Sequence, residues 1–183
     1  MLWLAVLVPT FASAQMVKPA VHSNDYSSST LGFKYTPPPG MRDETANGRL
    51  AVQSRAKALK TNHVFDVLLT MESGEDDSQP WCSVTIETYP RGAVSEPDDT
   101  KAAMQMNAWV AHSRDTSVLP KSAVISGQSF TVSVFFLQEG SVKKGATVFT
   151  TIRKGKLLSF AFVANSPEQL KALTETMKSV QFY

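Results

Sequence analysis

Two segments of the chain place a lysine three residues after a serine, the spacing found in penicillin-binding enzymes. They are Ser54 with Lys57 and Ser141 with Lys144. In those enzymes the serine attacks an acyl group and companion motifs complete the site. The companion Lys-Thr-Gly motif is missing, because Lys60-Thr61 is followed by asparagine. A four-residue pattern with two free positions is common by chance, so we do not predict a catalytic serine.

The three histidines are the residues best suited to acid–base catalysis near neutral pH. Asp66 follows His63 by three positions, which places the two side chains on opposite faces of a strand. His112 is predicted in the last turn of a helix, where the helix dipole stabilises its charged form. His22 precedes the predicted domain, and no Gly-x-Ser-x-Gly nucleophile motif is present. The histidines therefore predict no catalytic site.

The single cysteine, Cys82, cannot form a disulfide within the chain. It alternates with Val84 and Ile86, which predicts a buried and unreactive thiol on the apolar side of a strand. One cysteine and three scattered histidines do not have the spacing of zinc ligands. We therefore predict no zinc site.

An acidic segment and a glycine-containing segment offer two further kinds of chemistry. Glu72, Glu75, Asp76 and Asp77 are close in sequence, but the alternating oxygen ligands and turn glycine of a calcium loop are missing. Residues 127–129, Gly-Gln-Ser, link two predicted strands and open no helix, so they are not a phosphate-binding loop. The prediction is no catalytic residue, no metal site and no cofactor.

The composition is that of a globular domain. The chain has 183 residues, of which 43% are apolar and 19% charged, enough for one domain with a real core. The formal net charge is only +2. This charge gives no reason to expect nucleic acid or an anionic membrane as a partner.

The first residues have the character of an export leader. A short apolar run ends at Ala12-Ser13-Ala14, a small-x-small cleavage site, although the usual positive residues before the run are missing. The run is too short to span a bilayer as a helix, which takes about 20 residues. We predict a signal peptide over 1–14, a flexible tether over 15–30 and a single domain over 31–183. The alternative is a buried N-terminal segment.

The C-terminal residues predict a β-hairpin. Strands over 146–153 and 156–164 are separated only by Lys154-Gly155, which suits a two-residue primed turn. That turn places Phe149 opposite Phe160 and Ile152 opposite Leu157. Both faces of the hairpin are then apolar, which is typical of a sheet covered on both sides. The predicted fold is α+β, a mainly antiparallel sheet with helices on both faces.

A helix should follow the hairpin directly. Ser166 is a good N-cap, Pro167 suits the first helical position, and Gln169 completes a capping box. An apolar stripe at helical spacing indicates the face that packs on the sheet. The stripe consists of Leu170, Leu173, Met177 and Val180. A short terminal strand ends the chain.

The remaining elements follow from hydrophobic alternation and breaker residues. The predicted strands are 31–36, 63–71, 82–89, 124–126 and 130–137. The predicted helices are 43–60, with Asp43 as cap, and 98–113, and residues 72–80 form an acidic loop. In the strand over 63–71, the odd-numbered residues are expected to share one face.

The chain resembles the PsbP-like and DcrB-like proteins, which share the fold also seen in Mog, over about residues 31–183. The resemblance rests on the entry strand Gly32-Phe33 followed by Pro37 and Pro39-Gly40, on residues 125–130, and on the C-terminal hairpin, helix and strand. It implies an antiparallel sheet flanked by helices. It also implies that the protein binds other proteins rather than catalysing a reaction.

We predict an exported, non-catalytic binding protein of the periplasm or the extracellular space. This prediction combines the export leader, the family resemblance and the lack of a catalytic motif. The expected partner is another envelope or extracytoplasmic protein, or a small apolar ligand. The alternatives are an extracytoplasmic hydrolase with a dispersed site and a structural envelope protein. An enzyme should bring two or three titratable groups together in a cleft.

Overall fold

Runs of β-branched and aromatic residues form two antiparallel sheets in the computed structural model, which describes residues 20–21, 25–59, 66–73, 82–90, 121–139 and 142–183. The strands in chain order are β1 Ala20–Val21, β2 Tyr26–Ser28, β3 Phe33–Tyr35, β4 Arg42–Asp43, β5 Asp66–Ser73, β6 Cys82–Pro90, β7 Lys121–Ile125, β8 Gln128–Glu139, β9 Val142–Arg153, β10 Lys156–Ala164 and β11 Gln181–Phe182. The main sheet has the order β1-β4-β5-β6-β10-β9-β8-β7, and a small sheet has the order β11-β3-β2.

Two α-helices accompany these sheets in the described ranges. Helix α1 spans Thr45–Leu59 and helix α2 spans Pro167–Glu175. A 3-10 turn over Thr176–Ser179 leads from α2 to β11. The fold is therefore α+β with a mostly antiparallel sheet, as predicted.

The predicted register of the C-terminal hairpin is confirmed. Phe149 lies opposite Phe160 and Ile152 lies opposite Leu157. Lys154 and Gly155 have φ of 47° and 77°. Positive φ at both central residues is the signature of a type I′ turn, whose twist matches that of the strands it joins. The turn thus sets which side chains share a face.

One face of the main sheet, here called the aromatic face, is defined by Phe149, Leu158, Phe160 and Phe162. Phe160 is fully buried. Its ring meets those of Phe33 and Tyr35 edge-on, with centroids 5.6 and 5.8 Å apart. Aromatic pairs prefer this geometry, because the positive ring edge meets the negative ring face. The small sheet therefore closes the core over the aromatic face.

The opposite face, here called the hydroxyl face, is defined by Val148, Thr150, Leu157 and Ser159. Leu157 is only 2% exposed and Val148 only 5% exposed. Both faces of the hairpin therefore carry buried apolar side chains, as the apolar pattern predicts, although Ile152 and Val163 on this face are only half-buried. The predicted helical cover of both faces stays a prediction, since the described helices contact only parts of the sheet.

Helix α1 begins where a carboxylate takes up its first free amide. Oδ1 of Asp43 accepts from the backbone N–H of Thr45 at 2.8 Å, which confirms Asp43 as the capping side chain. The Oγ1 atom of Thr45 in turn accepts from the N–H of Thr70 at 3.0 Å. These bonds fix the start of α1 against β5.

Gly48 lets α1 approach β5 closely. A Cβ atom at position 48 would lie 2.6 Å from Oγ1 and 3.2 Å from Cβ of Thr70, a buried residue. Alanine is a better helix former than glycine by about 1 kcal/mol. Overpacking of a buried contact costs about 1–3 kcal/mol and should outweigh that gain.

We therefore expect Gly48→Ala to lower the free energy of unfolding by about 1 kcal/mol, measured by urea denaturation. The double variant Gly48→Ala/Thr70→Ala should recover most of this loss, because the second change removes Oγ1 of Thr70, the closest atom, and leaves only its Cβ at 3.2 Å. A stabilised Gly48→Ala single variant would show that α1 does not pack against Thr70.

The prediction of one shared face for strand 63–71 is wrong at Val67. The register shifts between Val67 and Leu69, so that Val67 lies opposite Glu87 while Leu69 lies opposite Ile86. Such a bulge adds one residue and reverses the alternation. Val67 consequently joins Thr70 next to Gly48, whereas Leu69 enters the core over the aromatic face.

The predicted start of α2 is confirmed, but the capping box is only half formed. Oγ of Ser166 accepts from the N–H of Gln169 at 3.2 Å, and Pro167 is the first helical residue. No residue in the described ranges hydrogen-bonds Oε1 of Gln169. The helix also tightens to a 3-10 turn after Glu175, so Val180 lies beyond it in extended conformation.

The predicted boundary at residue 31 needs correction, because part of the predicted tether belongs to the small sheet. Tyr26–Ser28 pairs with β3 as strand β2, and the Tyr26 ring lies 5.8 Å from that of Phe33. The hydroxyl of Thr36 donates to Asp25 at 2.7 Å. The aromatic contact explains why this polar segment is ordered.

Strand β3 pairs with β2 and β11 rather than joining the main sheet. Arg153, the last residue of β9, connects the two sheets. Its Nε donates to the carbonyl of Leu31 at 2.9 Å, and its Nη2 donates to the carbonyls of Gly32 at 3.3 Å and Tyr183 at 2.9 Å. Its guanidinium also lies 5.0 Å from the ring centroid of Phe182.

The predicted leader over 1–14 and helix over 98–113 lie outside the described residues, as does most of the acidic loop. Within the described part, no helix has the length and apolar character needed to cross a membrane.

Candidate functional site

The residues that the structure describes cover the suspected catalytic pairs only in part. Ser54 and Lys57 both belong to α1, and Lys144 lies in β9 while Ser141 is outside the described ranges. The three histidines, His22, His63 and His112, are also outside these ranges. The prediction that these residues are not catalytic therefore stays a prediction.

Of the suspected metal-binding residues, the structure describes Glu72 and Cys82, which lie on the paired strands β5 and β6. Cys82 opens β6 opposite Ser73, and Glu72 belongs to β5. Glu75, Asp76 and Asp77 fall outside the described residues. Within the ranges that the structure does describe, no three His, Cys, Asp or Glu side chains form a group that could hold a metal ion.

A pocket of about 220 Å³ lies at the β7 end of the main sheet. Four adjacent strands, β7 to β10, supply the described part of its wall, and most of the side chains carry a hydroxyl group. The lining residues are Ser122, Gln128, Ser129, Phe130, Thr131, Thr150, Thr151, Ile152 and Leu157. We take this pocket as the candidate site.

Strand register aligns three of these hydroxyl groups with that of Ser159, which does not line the pocket. The line is here called the hydroxyl row and consists of Ser122, Thr131, Thr150 and Ser159. Ser122 lies opposite Thr131, Thr131 opposite Thr150, and Thr150 opposite Ser159. Neighbouring strands are about 4.8 Å apart, so the row has that spacing. It begins at exposed Ser122 and ends at Ser159, which is 3% exposed.

Hydrogen bonds hold the pocket wall in place. Nε2 of Gln128 donates to Oγ1 of Thr151 at 2.9 Å, and this hydroxyl donates to the carbonyl of Ser129 at 2.6 Å. The hydroxyls of Thr150 and Ser159 are 2.9 Å apart. Each hydroxyl can both donate and accept a hydrogen bond. The row can therefore bind either a donor or an acceptor group of an uncharged partner.

The turn between β7 and β8 is anchored to the small sheet. Ser126 and Gly127 have φ of 49° and 76°, so Ser126 belongs to the turn and not to the strand predicted over 124–126. The hydroxyl of Ser126 donates to the carbonyl of Val180, just before β11. This bond fixes the end of the sheet where the pocket lies.

None of the described lining residues is titratable near neutral pH. The nearest carboxylate in line with the row is Glu87, opposite Ser159. It lies two strand spacings, or about 10 Å, from Thr150. General acid–base catalysis requires hydrogen-bond contact with the reacting group, directly or through one water, and Glu87 is not among the described lining residues.

Shifted pKa values among the described groups belong to structural contacts away from the pocket. Burial raises the pKa of Tyr35, although a hydrogen bond with Oγ1 of Thr176 at 2.8 Å opposes this. Burial also raises the pKa of Tyr26. A hydrogen bond from Lys178 lowers the pKa of Glu175, which is exposed on α2. These shifts give no acid or base to the candidate site.

The hydroxyl row is not among the features predicted from the sequence. Its local signal was the alternation of Ser129, Thr131 and Ser133, which places three hydroxyl groups on one face of β8. The alignment with Thr150 and Ser159 depends on pairing between strands, which no local pattern reports.

Strand β7 forms one end of the main sheet and borders the pocket. Val124 on this strand is 73% exposed, although its opposite residue is Ser129 of the pocket wall. Along its other side β7 pairs with no strand that the structure describes. The candidate site therefore consists of a pocket and an adjoining sheet edge.

A comparison with solved structures found chains of the same architecture. The solution structure of cyanobacterial PsbP from Synechocystis superposes with a TM-score of 0.54 and 15% identity, covering 87% of this chain and 92% of that one. This chain has the PsbP-like fold. The predicted resemblance is confirmed at that level, since identity this low shows the fold alone.

A second chain with lower similarity is LpqN of Mycobacterium tuberculosis, described as involved in cell envelope biogenesis. It has a TM-score of 0.45 and 12% identity, covering 86% of this chain and 88% of that one. No family model matches the sequence, and no curated protein is significantly similar to it.

Proposed function

We propose that the protein is an exported binding protein that contacts its partner through the pocket and the β7 edge without catalysing a reaction. The carrying observation is the described pocket wall, which combines hydroxyl, amide, aliphatic and aromatic side chains and no titratable group. Such a wall can hold an uncharged polar group, because burial of a charge without a counter-charge is costly. A PsbP-like fold is compatible with this function but does not determine it.

The character of the pocket changes the expected partner. An apolar ligand would leave the hydroxyls of Ser122, Ser129 and Thr131 without the hydrogen bonds they make to water. A protein segment can satisfy these groups with its backbone and small polar side chains. A protein partner is therefore favoured over the small apolar ligand.

Export and the helical cover of both sheet faces are part of this proposal. The leader over 1–14 supports export, and mass spectrometry of the mature protein should find Gln15 as its first residue. Close packing of Gly48 against β5 and of Leu170 against β9 supports helices on opposite faces.

An affinity experiment tests binding through the pocket. Thr131→Arg should fill the pocket with a long charged side chain, whereas Thr174→Arg makes the same change on α2. We expect the wild-type chain and the α2 variant to retain one partner from an envelope extract and the pocket variant to lose it. Retention by all three would contradict the proposed site.

A turnover assay addresses the alternative of a hydrolase. We expect no cleavage of nitrophenyl esters above that of a heat-denatured sample. Measurable cleavage that Thr131→Arg abolishes while the fold remains intact would instead favour an enzyme with a dispersed site.

A further inference from the structure

The edge of β7 presents backbone groups that point away from every strand in the described part of the chain. Ile125 and Gln128 lie opposite each other across the two-residue turn, so they exchange both backbone hydrogen bonds. In an antiparallel pair such residues alternate with residues that make no bond to the partner strand. The N–H and C=O groups of Ser122 and Val124 therefore point outward.

An unpaired strand edge is a template for another extended backbone. Two outward residues offer two donors and two acceptors at the spacing of a β-ladder. A small ligand cannot meet this spacing, whereas an extended peptide matches all four groups. Recognition by strand addition takes its affinity from such main-chain bonds and its specificity from alternate side chains.

Charge and burial at the edge indicate which peptide would fit. Ser122 and Val124 project on the hydroxyl face, so the opposite peptide residues would stand at the mouth of an uncharged pocket. Lys121 is exposed and projects on the other face. Small uncharged residues should therefore face Ser122 and Val124, and an acidic residue should face Lys121.

We propose that an extended segment of a partner protein adds to β7 as the next strand of the main sheet. The segment carries small uncharged side chains toward the hydroxyl face and an acidic residue opposite Lys121. This inference rests on the proposed binding function and specifies the chemistry of the partner. A second copy of the chain is less suitable, because one five-residue strand buries much less than the area of a stable dimer interface.

The substitution Val124→Pro tests the edge directly. Proline removes the outward N–H and its ring obstructs an added strand, but it is tolerated on edge strands whose N–H faces solvent. Val124→Thr is the matched control, since it keeps the β-branched shape and the N–H. Circular dichroism and the unfolding midpoint establish that both variants retain the fold.

The probe is a displayed library of random twelve-residue peptides, from which binders are selected on the wild-type chain and then synthesised. We expect alternating small residues with one acidic position. Affinity should fall at least about tenfold in Val124→Pro and change less than about threefold in Val124→Thr. Bound peptide should slow hydrogen exchange at the amides of Ser122 and Val124, while those of Ala123 and Ile125 are already protected.

Three results would overturn the inference. The first is the absence of enriched peptides, and the second is equal binding by the proline variant. The third is a concentration-dependent dimer in sedimentation that Val124→Pro abolishes, which would assign the edge to a second copy. If Thr131→Arg loses the partner while Val124→Pro keeps it, the binding function stands and strand addition is wrong.

Discussion

Phe160→Ala is expected to lower the free energy of unfolding by about 3–5 kcal/mol, the range for a fully buried phenylalanine. Its ring is 0% exposed and meets those of Phe33, Tyr35 and Phe130 at 5.6 to 6.2 Å. These contacts join the small sheet to the main sheet. Alanine would therefore lose the hydrophobic free energy gained by burying the ring, and it would leave a cavity between the two sheets.

Urea denaturation measures this loss of stability, provided that the dependence of the unfolding free energy on urea concentration, the m value, is unchanged. Phe160→Leu keeps most of the side-chain volume. It should lower the free energy of unfolding by about 1.5 kcal/mol or less from the change of shape, and by a further amount from the loss of the edge-on ring contacts. Val124→Ala is the surface control, because Val124 is 73% exposed and should change stability by less than about 0.5 kcal/mol. Similar losses for Phe160→Ala and Val124→Ala would contradict the packing described.

Arg153→Ala is expected to lower the free energy of unfolding by about 2–4 kcal/mol, because it removes charge-assisted hydrogen bonds to three backbone carbonyls at once. The acceptors belong to Leu31 and Gly32, just before β3, and to Tyr183, just after β11. Hydrogen bonds to a charged donor are each worth about 1.5–3 kcal/mol, and those that share one side chain do not add fully.

Arg153→Lys separates geometry from charge. Lysine presents one compact ammonium group and cannot reproduce the planar fork that meets three carbonyls and stacks on an aromatic ring. We expect it to recover less than half of the loss, with Lys156→Ala as the surface control. Full recovery by lysine in urea denaturation would show that the positive charge alone stabilises this contact.

The C-terminal hairpin was predictable because its determinants are local. Lys154-Gly155 accepts positive φ at both positions, and the turn then fixes the register from Phe149 to Phe160. The cap of α1 at Asp43 follows from its sequence for the same reason. Turn and cap preferences of this kind depend only on residues close in sequence, so they act before distant segments of the chain have packed.

Other features depend on segments far apart in sequence and were missed. The bulge at Val67 interrupts the regular alternation of β5 and places Val67 near Gly48 of α1. The alternation of residues within a strand gives no information about such a contact with a helix. The hydroxyl row forms only when β7, β8, β9 and β10 pair in one register. Its members look individually like ordinary polar residues of half-buried strands.

The pairing of β3 with β11 has a consequence for the newly made chain. Phe33 lies opposite Phe182, so nearly the whole domain must be synthesised before this pair can form. Until then an aromatic segment near the start of the domain has no neighbouring β11, although it is completely buried in the folded protein. A nascent chain would therefore expose this apolar segment until its synthesis is complete, and segments of this kind are prone to aggregate and are bound by chaperones.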